Sequence, residues 1–455
     1  MSLSIIILAA GQGTRMRSSV PKVLHRLAGK TLLEHVCNSA SLLNHRQMLV
    51  VYGYGGNQVR DTHKDIMAEW ILQEEQLGTG HAVKQVLPRI PDKDMAMILY
   101  GDIPMITVET LHRLENAAKE SGFALLTSYI DNPTGYGRII RSDIGDVVRI
   151  VEDRDVEGEE RSICEINTGM MVVAADALKR WVNALENNNN QKEFYLTDII
   201  EMAVNDGVTV NTINPENAVE IRGINDRSQL AEMERYYQLI QAHQLMRRGI
   251  TIIDPSRFDL RGDIEIGQDI TIDINVLLEG RLKIGDNVSI GANCCIKDSI
   301  IGNNVDIRAN TVIENAIISE GCRIGPFARI RPDTVLDENV HVGNFVEIKK
   351  SVVGKGSKIN HLSYIGDSDI GKDVNVGAGT ITCNYDGANK HKTVIEDDVF
   401  IGSDSQLIAP VKIGSGSTIA AGTTVCKDVE SGTLAIGRPE QKTVKKWKRP
   451  RKHKH

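Results

Sequence analysis

The chain has 455 residues, which is enough for two to four domains and excludes a single small binding module. Lys and Arg total 53 against 60 Asp and Glu, so the net charge of −7 excludes a general polyanion-binding protein unless the basic residues are clustered. They are clustered at the C-terminus, where the segment 438–455 holds nine Lys or Arg and one acid, Glu440. The sequence therefore predicts a basic tail on an acidic body.

Cysteine usage and the N-terminal segment point to an intracellular protein. The seven cysteines include no CxxC pair, so the sequence predicts neither a disulfide framework nor a structural zinc site. The first apolar run, 5–10, follows no basic segment and is far shorter than the ~20 residues that a membrane span requires. We therefore expect a cytoplasmic protein that does not insert into a membrane.

The first half of the chain alternates short apolar runs with amphipathic stretches. The apolar runs 4–10, 47–53 and 95–100 are separated by helix-like segments. Alternation of strands and helices is typical of a mostly parallel α/β sheet. The pattern therefore predicts a Rossmann-like nucleotide-binding domain over residues 1–225.

A single long helix is predicted next, over residues 226–250. Asp226 is a suitable N-cap, and Gly249 is a suitable end. Between them, apolar residues recur at helical spacing at Leu230, Met233, Tyr237 and Ile240. At 1.5 Å per residue such a helix is ~35 Å long, and it is interpreted as a linker.

A six-residue period dominates the second half. An aliphatic residue recurs from Ile266 to Val376, and again from Ile395 to Val425, giving 26 hexads with occasional five-residue steps. Hexads predict a parallel β-helix, here over 251–437, with three faces and eight or nine coils. Small and aliphatic residues would fill its narrow interior, which explains why aromatic residues make up only 4% of the chain. Glycine is expected at the corners.

The first apolar run leads into a loop that suits a phosphate chain. Gly11 and Gly13 let backbone N–H groups approach the phosphates. Arg15 and Lys22 add positive charge beside them. A dinucleotide-binding fingerprint would need a third glycine at Met16, and a P-loop would need Gly-Lys-Ser/Thr, which is absent. The remaining alternative is a plain strand-to-helix turn.

Residues 8–22 resemble the signature of the sugar-nucleotide pyrophosphorylases, which join a nucleoside triphosphate to a sugar 1-phosphate. The sequence QEEQLGTGHA at 73–82 is similar to the base-recognition loop of the uridylyl branch of that family. Asp102 follows an apolar strand, where ligand sites of open α/β sheets lie, although a turn-capping carboxylate is the alternative there. Gln12 departs from the Lys that many relatives carry.

This resemblance implies the function of the first half. It implies uridylyl transfer from UTP, with Arg15 and Lys22 as catalytic residues and Mg²⁺ held by Asp102 and Asn225. It implies that UTP and the UDP-sugar contact Leu8, Ala9, Ala10, Gly11, Gly13, Lys22, Gln73, Gly78, Thr79, Tyr100, Gly101, Asp102, Gly137, Glu152, Asn167, Tyr195, Thr197 and Asn225.

Two cations occupy the same outward hexad position on neighbouring coils. Arg331 and Lys349 are 18 residues apart, which places them ~4.8 Å from each other on adjacent strands. Like charges in direct opposition are destabilising, so an anion is expected between them. The alternative is a solvated basic strip with neighbouring acids.

A histidine lies in register with polar neighbours. His361 faces outward between Asn344 and Ala378 of the adjacent coils, which favours a general base over a satisfied core histidine. Tyr364 stacks over Glu347 of the preceding coil. The period then breaks before Ile395, and we expect residues 382–390 to be ejected as a loop on the binding face.

The second half resembles the hexapeptide acyltransferases, whose coils are left-handed and which form trimers. The motifs HLSYIGD at 361–367 and NYDGANK at 384–390 carry the resemblance. With the first half, nearly the whole chain is similar to a bacterial family of bifunctional uridyltransferase/acetyltransferases that make UDP-N-acetylglucosamine for peptidoglycan and lipopolysaccharide precursors. In that family glucosamine 1-phosphate is acetylated by acetyl-CoA before uridylyl transfer.

The resemblance assigns roles to solenoid residues. It implies His361 as the general base. It implies amino-sugar-phosphate contacts at Arg331, Lys349, Tyr364, Asn375 and Lys390. It implies acetyl-CoA contacts at Ala378, Asn384, Tyr385, Ser403, Ala421 and Arg438. The expected partners are these small molecules and two further copies of the chain in a homotrimer, without nucleic acid.

Two other functions remain open from the sequence. One is another sugar-1-phosphate nucleotidyltransferase with a hexapeptide tail, whose shorter solenoid would lack the His361 strip. The other is a catalytically silent assembly subunit, against which the intact Arg15, Lys22, Asp102 and His361 argue. The tail 438–455 is expected to help bind acetyl-CoA, the alternative being a solubilising or nucleic-acid-attracting end.

Overall fold

The computed structural model describes residues 2–189 and 191–450. The chain forms two compact units, and the boundary between them lies between Glu234 and Arg235. The predicted basic tail is described as far as Pro450, so its last five residues, 451–455, lie outside the described residues. Among the residues described, no helix combines the length and the apolarity that a bilayer crossing requires.

The first unit is an α/β sheet flanked by helices, as predicted. Its strands are β1 Leu3–Ala9, β2 Arg26–Leu27, β3 Lys30–Thr31, β4 Gln47–Tyr52, β5 Glu69–Leu72, β6 Met95–Tyr100, β7 Phe123–Tyr129, β8 Arg138–Arg141, β9 Val147–Val151, β10 Glu165–Ala174 and β11 Asn211–Ile213. Its helices are α1 Leu32–Ser41, α2 Asn57–Thr62, α3 Thr79–Val86, α4 Val108–Ser121, α5 Ala175–Asn183 and α6 Asp198–Asn205.

The main sheet places the loop after β1 at its centre. The strand order is β11-β7-β10-β6-β1-β4-β5, with β8 and β9 as a hairpin against β10. β1 pairs in parallel with both β4 and β6 and is buried along its whole length, which agrees with its uninterrupted apolar run. β10 runs antiparallel to β6 and β7, so the sheet is mixed. The carboxyl ends of β1 and β6 therefore open side by side.

The predicted linker helix is α7, Arg227–Arg247. The Asp226 side chain accepts a hydrogen bond from the Gln229 backbone N–H at 2.9 Å, so it caps the helix as predicted. Gly249 follows the last turn with a φ of +92°, a conformation that other residues rarely adopt.

The second unit is a parallel β-helix of three strand ladders, which confirms the prediction from the hexads. The first ladder comprises Thr251–Ile252, Thr271–Ile272, Ser289–Ile290, Asp306–Ile307, Arg323–Ile324, His341–Asn344, Lys358–His361, Asn375–Val376, Phe400–Ile401, Thr418–Ile419 and Leu434–Ala435. The long strands Phe258–Ile266 and Val276–Ile284 open the other two ladders. The second continues through Cys295–Lys297, Val312–Glu314, Arg329–Ile330, Glu347–Lys349, Tyr364–Gly366, Ile381–Cys383, Gln406–Ile408 and Thr424–Val425. The third continues through Ile300–Ile301, Ala316–Ile318, Thr334–Leu336, Val352–Val353, Ser368–Ile370, Thr393–Ile395 and Val411–Ile413.

The expectation that glycine forms the corners is wrong for many of them. Residues such as Asn293 and Asn310 take a positive φ there, and their side chains hydrogen-bond from coil to coil at 3.2 Å. The glycines that follow the core aliphatic residues serve a different purpose. A Cβ at Gly343 would lie 1.9 Å from the Asn360 carbonyl oxygen, so glycine permits the close approach of neighbouring coils.

The expected loop at 382–390 begins two residues later than predicted. Thr382 and Cys383 remain in the strand Ile381–Cys383, and Thr382 is 1% exposed. The Thr382 hydroxyl accepts a hydrogen bond from the Gly366 backbone N–H at 2.8 Å, which satisfies a polar side chain inside the prism. The ejected loop therefore starts at Asn384.

Candidate functional site

The phosphate-loop candidate is a tight turn whose shape depends on Gly13. Gly13 has a φ of +62°, and a Cβ at this position would lie 2.5 Å from the Lys22 Cβ. The chain then forms the short 3₁₀ turns Thr14–Met16 and Lys22–Leu24. Glycine thus allows the two ends of the loop to touch, and this contact brings Lys22 back beside the end of β1.

A cavity of about 560 Å³ opens above this loop. Among the residues predicted to serve uridylyl transfer, it is lined by the catalytic candidates Arg15 and Lys22 and by the binding candidates Leu8, Ala9, Ala10, Gly11, Gly13, Gln73, Gly78, Thr79, Tyr100, Asp102 and Asn225. Gly101 is not part of the lining. Its backbone N–H donates to the Leu8 carbonyl at 2.9 Å, which joins the end of β6 to the end of β1 below the cavity. In the described part of the chain Arg15 makes no ion pair, so its guanidinium is free to meet an anion.

Two candidate metal ligands meet at one edge of the cavity. The Ile224 backbone N–H donates to the Asp102 carbonyl at 3.0 Å, which places the neighbouring Asn225 beside Asp102. The Lys22 ammonium pairs with the Asp102 carboxylate and lies 2.6 Å from the Asn225 Oδ1. A carboxylate and a carboxamide oxygen that converge on one cation fit Mg²⁺, which prefers oxygen ligands and takes the rest from phosphate and water.

The predicted base-recognition loop is held by its own polar groups. The Gln73 Nε2 donates to the Gly78 carbonyl at 3.3 Å, and the Thr79 hydroxyl accepts from the Leu196 backbone N–H at 3.2 Å. Gln73 is only 2% exposed. The cavity lining also includes four polar residues for which sequence reasoning proposed no contact: Gln12, Thr14, Gln76 and Glu193. Gln76 lay within the motif at 73–82, but Glu193 carried no signal of its own.

Five of the predicted UDP-sugar contacts form a second cluster outside the lining of this cavity: Gly137, Glu152, Asn167, Tyr195 and Thr197, which the resemblance aligns with N-acetylhexosamine contacts. The Thr197 hydroxyl donates to Glu152 Oε1 at 2.9 Å, and the Asn167 backbone N–H donates to the Gly137 carbonyl at 2.8 Å. Burial raises the pKa of Glu152 above its ordinary value. The buried Tyr195 hydroxyl has no hydrogen-bond partner among the described residues. An unsatisfied buried hydroxyl is a ready site for a sugar hydroxyl group.

Asp198 is a functional candidate that the sequence did not single out. It follows Thr197 in the first turn of α6, and burial, with a smaller contribution from Glu152, raises its pKa to about 6.

Tyr100 lies between the cavity and the cluster around Glu152. Its phenol is surrounded by Gly169, Glu152 and Asp102, and burial raises its pKa. Asp198, Tyr100 and Glu152 are far apart in the sequence and share no motif, so only the folded chain shows that they are neighbours.

On the solenoid, a column of residues follows one edge from coil to coil. The Leu362 N–H donates to the Asn344 carbonyl, and the Gly379 N–H donates to the His361 carbonyl. The same pattern continues below, where the carbonyls of Ala378 and Ser403 accept from the next coil. His361 therefore stands in line with Asn344 and Ala378, as the hexad phase predicted, and the same column continues through Ser403 and Ala421. The three residues below His361 in this column are small.

The His361 ring is oriented by the coil above it. His361 Nδ1 lies 3.1 Å from Asn344 Oδ1. Because a carboxamide oxygen only accepts, this contact places the proton on Nδ1 and leaves the lone pair on Nε2. The imidazole is exposed, so Nε2 is accessible to a substrate from solvent.

An acid lies beside the two stacked cations, which agrees with the alternative of a basic strip with neighbouring acids. Arg331 Nη1 donates to Glu347 Oε1 at 2.7 Å, so a carboxylate already meets one of the two stacked cations. The Lys390 side chain of the ejected loop lies beside Lys349, and this neighbouring ammonium lowers the pKa of Lys349. Glu347 pairs in register with Tyr364, as predicted. Four of the five predicted amino-sugar-phosphate residues are thus neighbours.

Asn375 is the exception among these residues. It pairs in register with Lys358 and Phe400 on the first ladder, whereas Lys349 and Tyr364 belong to the second. The remaining acetyl-CoA candidates lie in the ejected loop and after the last coil of the solenoid. Asn384 Nδ2 donates to Asp367 at 2.6 Å, Tyr385 is exposed, and Arg438 packs beside Gly422.

Comparison with known proteins agrees with both halves of this description. Family models match residues 5–192 (MobA-like NTP transferase domain), residues 260–346 (GMPPB C-terminal domain) and residues 392–427 (bacterial transferase hexapeptide, six repeats). The chain is 54% identical to "Bifunctional protein GlmU" of Methylococcus capsulatus over 99% of its own length and 98% of that protein. It is 52% identical to the proteins of the same name from Azoarcus sp. (98% of this chain and 99% of that one) and Aromatoleum aromaticum (99% of each).

Proposed function

The chain belongs to the GlmU family of bifunctional proteins, and from that membership we propose that it catalyses two consecutive steps of UDP-N-acetylglucosamine synthesis. The solenoid transfers an acetyl group from acetyl-CoA to glucosamine 1-phosphate. The α/β unit transfers a uridylyl group from UTP to the N-acetylglucosamine 1-phosphate that results, and pyrophosphate is released. The observation that carries this proposal is that one chain holds both the phosphate-loop cavity and the His361 column. A single-activity relative or a silent subunit would need only one of them, or neither.

Uridylyl transfer is proposed to occur in the cavity above Gly11 and Gly13. A phosphate oxygen of the sugar phosphate attacks the α-phosphorus of UTP, and the bond to the pyrophosphate oxygen breaks. The site supplies position and positive charge rather than a covalent intermediate. Arg15 and Lys22 stabilise the charge on the phosphates, the loop at 73–79 holds the base, and the cluster around Glu152 and Tyr195 holds the sugar.

Mg²⁺ is the proposed metal of this site, with Asp102 and Asn225 as its protein ligands. When bound, it supplies further positive charge at the phosphates. Because the Lys22 ammonium lies between the same two side chains, Lys22 must turn away when a metal ion binds there. The side chain is then free to contact a phosphate of the nucleotide.

Acetyl transfer is proposed to occur beside His361. Nε2 accepts a proton from the ammonium group of glucosamine 1-phosphate, and the free amine attacks the thioester carbonyl of acetyl-CoA. An amide bond forms and the thioester C–S bond breaks. The nitrogen loses two protons in all, of which one ends on the sulfur, so that CoA leaves as the thiol, and the other passes to solvent. Arg331, Lys349 and Lys390 hold the sugar phosphate. The small side chains of Ala378, Ser403 and Ala421 leave space along the edge for the CoA arm, and Arg438 meets its phosphates.

The solenoid is proposed to assemble as a homotrimer. Asn375 belongs to a different ladder from Lys349 and Tyr364, so an acetyl-transfer site that uses all three is completed most simply by a second copy. Light scattering of the pure protein at micromolar concentration tests this proposal, and a monomer would contradict it.

One incubation tests the proposed function as a whole. The pure protein is mixed with glucosamine 1-phosphate, acetyl-CoA and UTP, and the release of CoA thiol and of pyrophosphate is followed separately. We expect both products, with pyrophosphate depending on prior acetylation. Replacement of UTP by ATP should abolish pyrophosphate release. Failure to release either product would contradict the bifunctional assignment.

A further inference from the structure

The ejected loop of the solenoid is a short hairpin with an internal tie. Tyr385 and Lys390 form an antiparallel bridge, and the His391 backbone N–H donates to the Asn384 carbonyl at 2.8 Å. The loop closes within these residues, so its conformation is set by its own hydrogen bonds. Lys390, whose side chain reaches Lys349, lies in this hairpin.

Asp386 provides most of the internal hydrogen bonds of the hairpin. Its Oδ1 accepts from the backbone N–H groups of Ala388 and Asn389, at 2.8 and 2.7 Å. Its Oδ2 lies 2.6 Å from His391 Nε2. One carboxylate thus joins the tip of the hairpin to its returning strand. These hydrogen bonds hold the pKa of Asp386 well below its ordinary value, so the carboxylate is charged at neutral pH.

His391 directly follows Lys390, so a tie at His391 also limits the movement of Lys390. Lys390 is exposed, and a long exposed lysine has many rotamers to lose when it binds an anion. Without the tie, its ammonium would also move away from Lys349, because the two cations repel each other. A phosphate between the two ammonium groups requires them to be close together before it binds.

We propose that Asp386 and His391 are positioning residues, which hold Lys390 against Lys349 so that the two ammonium groups form a preorganised site for the phosphate of the amino sugar. This inference rests on the proposed acetyl transfer and adds two residues to it. Neither residue contacts the substrate in this account, since both act through Lys390. Their loss should therefore weaken binding of glucosamine 1-phosphate and leave the chemical step nearly intact.

The test compares substitutions that break the tie with one that preserves it. Asp386→Ala removes all three hydrogen bonds, and His391→Ala removes the side-chain partner. His391→Gln retains an N–H donor at about the position of Nε2. We expect the two alanine variants to raise the KM for glucosamine 1-phosphate at least about fivefold, with kcat within about threefold, and His391→Gln to remain near the wild type.

A double-mutant cycle separates positioning from general stability. If Asp386 acts through Lys390, the variant Asp386→Ala/Lys390→Ala should have the same KM as Lys390→Ala alone. Glu338→Gln is the matched control, because Glu338 pairs with Lys355 at 2.6 Å elsewhere on the solenoid. Uridylyl transfer by each variant, measured in the same sample, reports whether the chain has folded.

Each outcome decides the inference. An unchanged KM in both alanine variants, or effects of Asp386→Ala and Lys390→Ala that multiply in the cycle, would overturn it while acetyl transfer itself stands. If Lys390→Ala leaves the KM unchanged, there is no phosphate contact to position and the inference also fails. An inactive wild-type protein would instead refute the proposed function.

Discussion

Lys22 and Asn225, which are 203 positions apart in the sequence, meet in the cavity of the first unit, where the Lys22 ammonium lies 2.6 Å from the Asn225 Oδ1. The same ammonium pairs with Asp102. A protein cation thus occupies the space between the two side chains proposed to bind a metal ion. Metal and Lys22 should compete for this position.

Lys22→Met should therefore strengthen metal binding while it weakens catalysis. The competing charge is removed, so Mn²⁺, used as a spectroscopic probe, should bind the free protein roughly tenfold more tightly. Uridylyl transfer should fall by a factor of about 100 or more, because a phosphate contact is lost. Electron paramagnetic resonance measures free Mn²⁺ directly, and Lys93→Met, at an exposed lysine, is the control. Equal or weaker Mn²⁺ binding by Lys22→Met would show that the two cations do not compete.

Gly13 and Gly11 should respond differently to the same substitution. Gly13→Ala forces a Cβ to within 2.5 Å of the Lys22 Cβ at a φ of +62°, so it should displace Lys22 and lower the Tm by several degrees. Gly11→Ala meets no atom within 4 Å, so its Tm should remain that of the wild type. Thermal denaturation followed by circular dichroism checks both variants. A wild-type Tm for Gly13→Ala would mean that the loop adapts without strain.

The sequence predicted the β-helix and the outward positions of its coils because the hexad pattern is local and repeated. The hexad phase placed His361 between Asn344 and Ala378, and the pairing of strands agrees. Contacts that depend on the path of the chain between elements were not predictable in this way. The hexad phase stacked Arg331 on Lys349 and left open whether a bound anion or a neighbouring acid offsets their charge. The folded chain shows that Glu347, two residues from Lys349, pairs with Arg331. Thr382 interrupted the aliphatic pattern, so the loop was placed too early.

In the α/β site, too, the sequence predicted residues within one motif but not contacts between distant segments. The motifs identified the cavity floor, from Gly11 to Lys22, because these residues are adjacent in the sequence. The contact between Lys22 and Asn225 depends on a backbone hydrogen bond between Ile224 and Asp102, which no local pattern signals. The raised pKa of Asp198 likewise results from burial in the folded chain.

Asp198 predicts a specific dependence of stability on pH. Its pKa rises from 3.8 to about 6 on folding, so the folded protein binds this proton more tightly than the unfolded chain. The ionised carboxylate therefore costs stability, a cost that is absent below pH 3.8 and that is complete above about pH 6. Allowing for its partial exposure, the cost is about 1–2 kcal/mol.

Asp198→Asn should remove this cost. The variant should have a higher Tm than the wild type at pH 8, and the difference should shrink towards zero at pH 4. Differential scanning calorimetry at several pH values measures it. Asp176→Asn is the control, because Asp176 also lies in the first turn of a helix but is 59% exposed. A gain for Asp198→Asn that does not change with pH would exclude the titration of this carboxyl as its cause.

The basic tail should matter for only one of the two activities. Arg438 packs beside Gly422, at the end of the column that begins at Asn344, and the tail beyond it is exposed as far as Pro450. A chain that ends before Arg438 should lose acetyl transfer, mainly through a higher KM for acetyl-CoA, and should retain uridylyl transfer. An unchanged dependence on acetyl-CoA would assign the tail to solubility. Strong, salt-sensitive DNA binding by the full chain would favour a nucleic-acid role.

The most direct test of the central claim, two independent active sites on one chain, measures both half-reactions in two single variants. Arg15→Ala should depress uridylyl transfer by a factor of about 100 or more and leave acetyl transfer within twofold of the wild type. His361→Ala should depress acetyl transfer by a factor of about 10²–10⁴ and leave uridylyl transfer and assembly unchanged. If either variant loses both activities while it remains folded and assembled as the wild type, the account of two independent sites is wrong.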